Sequence, residues 1–539
     1  METELKLGIH PEHAGTLRKH PLLKQYSAGK PRRQRMSDTY FDTPELLLWG
    51  SKCGLRVRHT GKRWVQTLKG GGGAAGGLHQ RHEWESDIDG PLPDMAALKE
   101  LVAGKKPWAN LLKSAGLEKN IQAVFTVEVT RTIWDLRLPG GGEVEFVLDQ
   151  GHVQSGSRRQ EISEVELELN SGEPAQLFEL ALELQKKIPL RISNISKAQR
   201  GYSLFQQGQL AKPAQQTALA IKADKLVLRK KMDAEQALRA MLANCVAQIQ
   251  GNELGVADSD APESLHQMRV GLRRLRSALG LYKDIVIVPK QVQEDMEWLS
   301  GQLGATRDWD VLAHSTLAVI AEAAATVPVN IQLEPLRSAA LAEAGKKHGE
   351  AAAAVRSLRF ARLMLNLSAR AYGVRWNAPG QQEAQQALGG SVGKFAGAKM
   401  KQAQHRLHKR GKSVHDANAL VHAVSEGIGG GMHLEAQGRH RLRIAAKKLR
   451  YTTDFFHSLY PAHRMQPYLE SMTGLQELLG ACNDAAVASG LLSQLLQTHA
   501  ELSGPINFAR GYLAAGTGQA IAAMEKQWRQ LEAMELPRI

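Results

Sequence analysis

The chain has 539 residues, of which 43% are hydrophobic and 5% aromatic, and its formal net charge is +15. That length exceeds one ordinary core and calls for two to four domains, and no run of 18 apolar residues is present to cross a membrane. Aromatic residues this sparse suit a base-stacking platform poorly, so nucleic acid is disfavoured as a partner. Cys53, Cys245 and Cys482 lie far apart, with neither a CxxC pair nor zinc-ligand spacing, which points to a reducing cytoplasm. The acidic N-terminus has no apolar core of the kind a signal peptide needs.

The first element, METELKLGI, alternates charge with apolar side chains: Glu2, Glu4 and Lys6 share one parity, Leu5 and Leu7 the other. On a strand these sets point to opposite faces. The same alternation returns at Arg56 and Arg58, at Glu83 and Glu85, at Glu145 and Asp149, and at Glu164, Glu166 and Glu168. GGGGAAGG at 70–77 follows Lys69 and reads as a flexible hairpin loop, lacking the Lys-Ser/Thr of a phosphate loop. Helical patterns occupy 94–103 and 174–187. Between them 126–138, 142–153 and 162–172 alternate as strands separated by glycine-rich turns. Such recurrence of charge on one strand face after another suggests a barrel with a charged, wet interior. A triphosphate with divalent ions would match it, the carboxylates offering hard oxygen ligands and the cations gripping phosphoryl oxygens.

Residues 206–221 form a polar Pro/Gly-containing join, and from 222 to 539 the pattern becomes Ala/Leu-rich and helical. Residues 1–205 carry 29 Lys+Arg against 25 Asp+Glu, and the remainder 40 against 29, so the second part is the better seat for a polyanion. This part repeats itself. HQMRVGLRRLR at 266–276 aligns without gaps to HRLRIAAKKLR at 440–450, and LGATRDWDV at 303–311 is echoed at 479–487. His266, Arg269, Arg273 and Arg276 fall on one helix face, as do His440, Arg443, Lys447 and Arg450. Asp308 and Asp484 read as structural partners for these cations. His348, Arg356, Arg359, His405 and His408 are further candidates for the same cleft or for ordinary surface.

Residues 1–205 resemble the CYTH family, the triphosphate tunnel metalloenzymes. The family's ExExK motif stands as Glu2, Glu4 and Lys6, followed in order by Arg56, Arg58, Lys69, Arg131, Asp149, Glu164, Glu166 and Lys197. The resemblance implies a multidomain α+β protein whose first domain is a tunnel of eight antiparallel strands. It implies Mg²⁺ or Mn²⁺ on Glu2, Glu4, Asp149, Glu164 and Glu166, and substrate on Lys6, Arg56, Arg58, Lys69, Arg131 and Lys197. Glu2, Glu4 and Lys6 then count as catalytic. Which of Glu83, Glu85, Glu145 and Glu168 face the tunnel is open at this point.

Residues 222–539 resemble the CHAD domain, which implies two four-helix bundles facing across a basic cleft that binds inorganic polyphosphate. Lys447 stands where the first copy has Arg273, and Asn483 where it has Arg307. The expected activity is hydrolysis of inorganic tripolyphosphate to pyrophosphate and phosphate. An adenylate cyclase, a thiamine triphosphatase and a non-catalytic polyphosphate-granule protein remain as alternatives.

Overall fold

The structure is a computed structural model that describes residues 2–114, 116–209, 219–259, 261–326, 331–376, 381–424 and 431–536. The chain divides into two compact units, Met1–Gln216 with Leu358–Arg375, and Thr217–Ser357 with Trp376–Ile539. Much of the expected join, 210–218, lies outside the described residues.

The first unit is built on β1 (Glu2–Ile9), β2 (Arg32–Asp42), β3 (Cys53–Thr60), β4 (Arg63–Ala75), β5 (Leu78–Ile88), β6 (Gln122–Arg137), β7 (Glu143–Ser155) and β8 (Arg158–Ser171). They hydrogen-bond in the order β5-β4-β3-β2-β6-β7-β8-β1, all antiparallel, and β1 pairs back to β5 to close an eight-stranded barrel. A short β9 (Leu190–Ile192) extends the β1 edge.

The alternation works inside out. Leu5 and Leu7 point outward into an apolar core shared with Phe146, Leu167 and the helix Pro174–Gln185, while Glu4 and Lys6 point inward. A slip of one residue would exchange the faces, so burying the leucines outside fixes the charges inside. Helices Met95–Leu101 and Lys106–Leu112 cover the outer face of β3–β5 in the same way, over Leu55, Val57 and Leu68.

Two features depart from the sequence expectation. Residues 70–75 are no loop: β4 runs on to Ala75, with a register shift between Gly70 and Gly73, and the turn is confined to Gly76–Gly77 at positive φ. And the helix Leu358–Ala371, though it follows the helical region in sequence, belongs to the barrel unit. Its Leu365 and Ala369 enter the outer core of β1, Tyr372 stacks on Phe178 at 5.2 Å, and the Tyr372 hydroxyl donates to the Ala75 carbonyl at 2.8 Å.

The second unit is helical throughout its regular elements. Ala234–Gly251, Pro262–Leu281, Lys290–Asp310 and Glu334–Arg356 pack in succession, and so do Val392–Val424, Gly431–Phe456, Ala462–Thr498 and Ser503–Glu532. These are the two four-helix copies. Pro262–Leu281 and Gly431–Phe456, the helices with the repeated basic stripe, pack on one another. Among the described residues no helix is long and apolar enough to cross a membrane.

Candidate functional site

The barrel encloses a cavity of about 420 Å³. Each strand contributes its inward parity: Glu2, Glu4 and Lys6 from β1, Arg56 and Arg58 from β3, Lys69 from β4, Glu166 and Glu168 from β8. The six cations expected to bind substrate all line it, and Glu83, Glu85, Glu145 and Glu168 do so as well.

The cations are held by carboxylates in three groups. Arg58 makes a two-pronged contact with Asp38, at 2.8 and 2.9 Å, and Arg56 reaches Asp38 at 3.5 Å and Glu83 at 3.3 Å. Burial alone would protonate Asp38, but Arg58 and Arg56 hold its carboxyl well below the usual carboxylate range. Lys69 bridges Glu2 at 2.9 Å and Glu83 at 3.1 Å. Lys6 lies 3.0 Å from Glu4 and closer still to Glu166. Burial would discharge Lys6, yet Glu166 and Glu4 keep its ammonium above the ordinary lysine range. Lys6 therefore orients Glu4 within the cavity.

The third group is the most enclosed. Lys197 Nζ sits 2.7 Å from Asp149, 2.6 Å from Glu164 and 2.9 Å from Glu166, and Arg131 forks onto Asp149 at 2.8 and 2.6 Å and reaches Glu166 at 3.0 Å. The oxygens of Asp149, Glu164 and Glu166 lie within 4.8 Å of one another, a spacing a metal ion could use. An ammonium already stands among them. Of these three only Glu166 lines the cavity.

Glu168 has the contrary environment. Burial and the neighbouring Glu2 and Glu4 carboxylates push its carboxyl up to about 7. It is a place of surplus negative charge in the open cavity, and the chemistry of its donors, all carboxylate oxygens, fits a hard divalent cation.

Sequence reasoning missed Asp38, Tyr40, Lys52 and Arg81, which also line the cavity. Asp38 and Tyr40 share a parity within SDTYFD, so the period-two signal that found the other strands could have found them.

In the helical unit the two basic stripes converge. Lys447 is pressed down to about 8 by burial and by Arg443, Arg273 and Arg269. Among the described residues no carboxylate lies within ion-pair distance of Arg269, Arg273, Arg443 or Lys447, and the Nε atoms of Arg273 and Arg443 are buried without a hydrogen-bond partner. Asp308 and Asp484 act on the cluster at longer range, through Arg269 and Arg443 respectively. Arg276 and Arg450 turn to equivalent partners on the next helix, Ser300 at 3.2 Å and Gln476 at 3.0 Å. The histidines differ: His266 is half-buried and pushed below its usual range by burial and Arg307, whereas His440 is exposed. His348 is no cleft residue, being buried against Asp310 at 2.8 Å.

Comparison with known proteins agrees with this division. The CYTH domain model matches residues 1–202 and the CHAD domain model residues 240–493. The chain therefore joins a CYTH domain to a CHAD domain. Over 204 residues it is 32% identical to the inorganic triphosphatase of Haemophilus influenzae, a match covering 38% of this chain and 54% of the relative, so the chain spans about half that protein's length. The crystal structure of the CHAD domain from the plant Ricinus communis is 35% identical, with 59% of this chain and 98% of that chain covered at a TM-score of 0.49. A Hippeastrum protein described as an adenylyl cyclase with dominant triphosphatase activity is 20% identical, over 40% of this chain and 99% of that one, at a TM-score of 0.29.

Proposed function

We propose that this chain is a metal-dependent inorganic triphosphatase that cleaves tripolyphosphate to pyrophosphate and phosphate, joined to a helical domain that binds long-chain inorganic polyphosphate. The observation that supports it most is the cavity itself, where Glu4 and Glu168 lie side by side in a space also lined by Arg56, Arg58 and Lys69. Both charges that a metal–triphosphate complex needs are present in one enclosed site.

The metal site we propose differs from the one expected from sequence. Glu4 and Glu168, with Glu2, Glu145 and Glu166 beside them in the cavity, would hold Mg²⁺ or Mn²⁺, while Asp149 and Glu164 serve Lys197 and Arg131 instead. A divalent ion bound there supplies Lewis acidity to the phosphoryl oxygens and lowers the pKa of an attacking water. The protein's part is positioning. Asp38 sets Arg56 and Arg58, Glu2 and Glu83 set Lys69, and the cations so fixed receive phosphoryl oxygens without reorganising as charge shifts to the leaving pyrophosphate.

In the helical domain the cluster of Arg269, Arg273, Arg443 and Lys447, which among the described residues makes no close ion pair with a carboxylate, would be neutralised by a polyphosphate chain, flanked by Arg276, Arg450, His266 and His440. The separate thiols Cys53, Cys245 and Cys482 suit a reducing, cytoplasmic setting.

Phosphate release from tripolyphosphate, ATP and thiamine triphosphate, each with Mg²⁺ and with EDTA, tests the enzyme reading. Tripolyphosphate should turn over fastest and stop in EDTA. Faster turnover of either organic triphosphate would transfer the assignment to that substrate, and no hydrolysis of any would leave a polyphosphate-binding protein.

A further inference from the structure

Eight cationic side chains line the barrel cavity, and six of them are locked to carboxylates. Lys52 and Arg81 are the other two: among the described residues neither has a carboxylate within 4 Å. Both stand beside the same piece of wall. Lys52 immediately precedes Cys53, which pairs with Gly70, and Arg81 lies on β5 next to Gln80, which pairs with Gly73. Arg81 shares the inward parity of Glu83 and Glu85.

Between the two cations the wall is glycine alone. Gly70, Gly71, Gly72 and Gly73 all line the cavity. A side chain is excluded at Gly72, where a Cβ would fall 1.7 Å from the Gln80 carbonyl oxygen, and at Gly70, where one would fall 2.6 Å from the Trp108 ring on the outer face, while Gly73 has open space around it. The bulge thus leaves a glycine strip flanked by two cations that, among the described residues, have no carboxylate within 4 Å, Arg81 having Glu2 as its cross-strand neighbour. Lys52 is itself held at φ 57, a left-handed conformation in which glycine or asparagine is the ordinary occupant. A lysine kept at such a backbone position places an ammonium where a less strained residue would place none.

We infer that Lys52 and Arg81, on either side of the Gly70–Gly73 bulge, form a subsite for a further phosphoryl group beyond the three held by the paired cations. The inference rests on the triphosphatase reading and extends its substrate class to linear inorganic oligophosphates of four or more phosphoryl groups, bound more tightly than tripolyphosphate. Lys69, one residue before the bulge, would pass the chain from the triphosphate clamp to this subsite. An anion supplies the two cations with the counter-charge that the six others already have from the protein.

The test compares inorganic tetraphosphate with tripolyphosphate on the full chain. The wild type should show a KM for tetraphosphate about tenfold below that for tripolyphosphate, as one extra charge-assisted contact would give, and Lys52→Gln with Arg81→Gln should bring the ratio to near one. A ratio unchanged by the double variant, or no preference in the wild type, overturns the subsite. Lys52→Gly separates folding from binding: it relieves the backbone strain, so it should raise the melting temperature while still raising the KM for tetraphosphate relative to tripolyphosphate. If neither compound is hydrolysed, the triphosphatase reading falls, and calorimetric titration decides the subsite alone. Affinity lost by the double variant for tetraphosphate and not for tripolyphosphate supports it, and equal or no loss refutes it.

Discussion

Glu4 of β1 lies directly across the strand pair from Glu168 of β8. Like charges in that relation repel, and burial makes the repulsion stronger. Glu168 answers by taking up a proton near pH 7 instead of near 4.5. A carboxyl raised in this way destabilises the fold above its folded pKa and is relieved as pH falls toward the unfolded value. The metal-free protein should therefore lose stability as pH rises from about 4.5 through 7, by about 1–3 kcal/mol after allowance for solvent screening. Glu168→Gln removes this slope, so in EDTA it should melt higher than wild type, with a gap wider at pH 8 than at pH 5.5. The same variant should lose most metal-dependent turnover. A gap independent of pH, or full activity in the variant, would detach Glu168 from the metal site.

Lys197 stands at the centre of Asp149, Glu164 and Glu166, in ion-pair contact with all three. Lys197→Met keeps the length and removes the charge, leaving Asp149 and Glu166 to Arg131, Glu166 also to Lys6, and Glu164 to Arg200 at 3.8 Å. The expected cost is about 3–5 kcal/mol, the usual penalty for an orphaned buried charge. Because the three oxygens lie within 4.8 Å, Mn²⁺ should bind in the lysine's place and restore part of the loss. Melting temperatures of the variant with and without Mn²⁺, against the wild-type response to the same ion, read this out. A metal response no larger than wild type would show that the cluster does not accept an ion.

Asp38 touches both arginines of β3, so it positions the clamp without being part of it. Asp38→Asn keeps the shape, weakens the hold on Arg58 and leaves Arg56 to Glu83 and Glu85. The substrate KM should rise about 5- to 30-fold with a smaller change in kcat, equivalent to about 1–2 kcal/mol of lost orientation. Equal falls in kcat and kcat/KM would instead mean that Asp38 acts in the chemical step.

The inward face of the tunnel was legible because alternation is a local property, and Leu5 and Leu7 had to be buried somewhere. Which carboxylate meets which cation was not. The partners of Lys197 are 31 to 48 residues away and those of Lys6 include Glu166, so the pairing depends on cross-strand register that no local pattern encodes. Gly70–Gly73 misled for a related reason. Glycine-rich composition signals a turn, but pairing of Gly70 with His82 and Gly73 with Gln80 carries the segment within a strand as a bulge. The helix Leu358–Ala371 shows an apolar face in sequence, yet periodicity cannot say which core receives it. The gapless repeat, by contrast, marked Arg273 and Lys447 as equivalent positions, and their two helices pack on one another.

That cluster carries a pH prediction. The charges facing Lys447 are Arg269 and Arg273 from one stripe helix, Arg443 from its own, and Asp484, whose attraction is the weakest of the four. Their sum with burial sets the free ammonium at about 8. A bound polyphosphate reverses the local field and favours the charged form, so binding near pH 8 should take up protons. Affinity should then be nearly level from pH 6.5 to 7 and weaken as pH rises through 8 to 9, by up to about tenfold per unit at the steepest. Lys447→Arg keeps the charge at every pH in this range, so its affinity should stay level. His266 is driven below the usual histidine range by burial and Arg307, which places its contribution at lower pH than the lysine's and makes the two separable. The measurement is long-chain polyphosphate affinity of the full chain from pH 6 to 9 at fixed ionic strength, for wild type, Lys447→Arg and His266→Gln. A high-pH slope that survives Lys447→Arg would assign the titration to another group and remove Lys447 from the binding cluster.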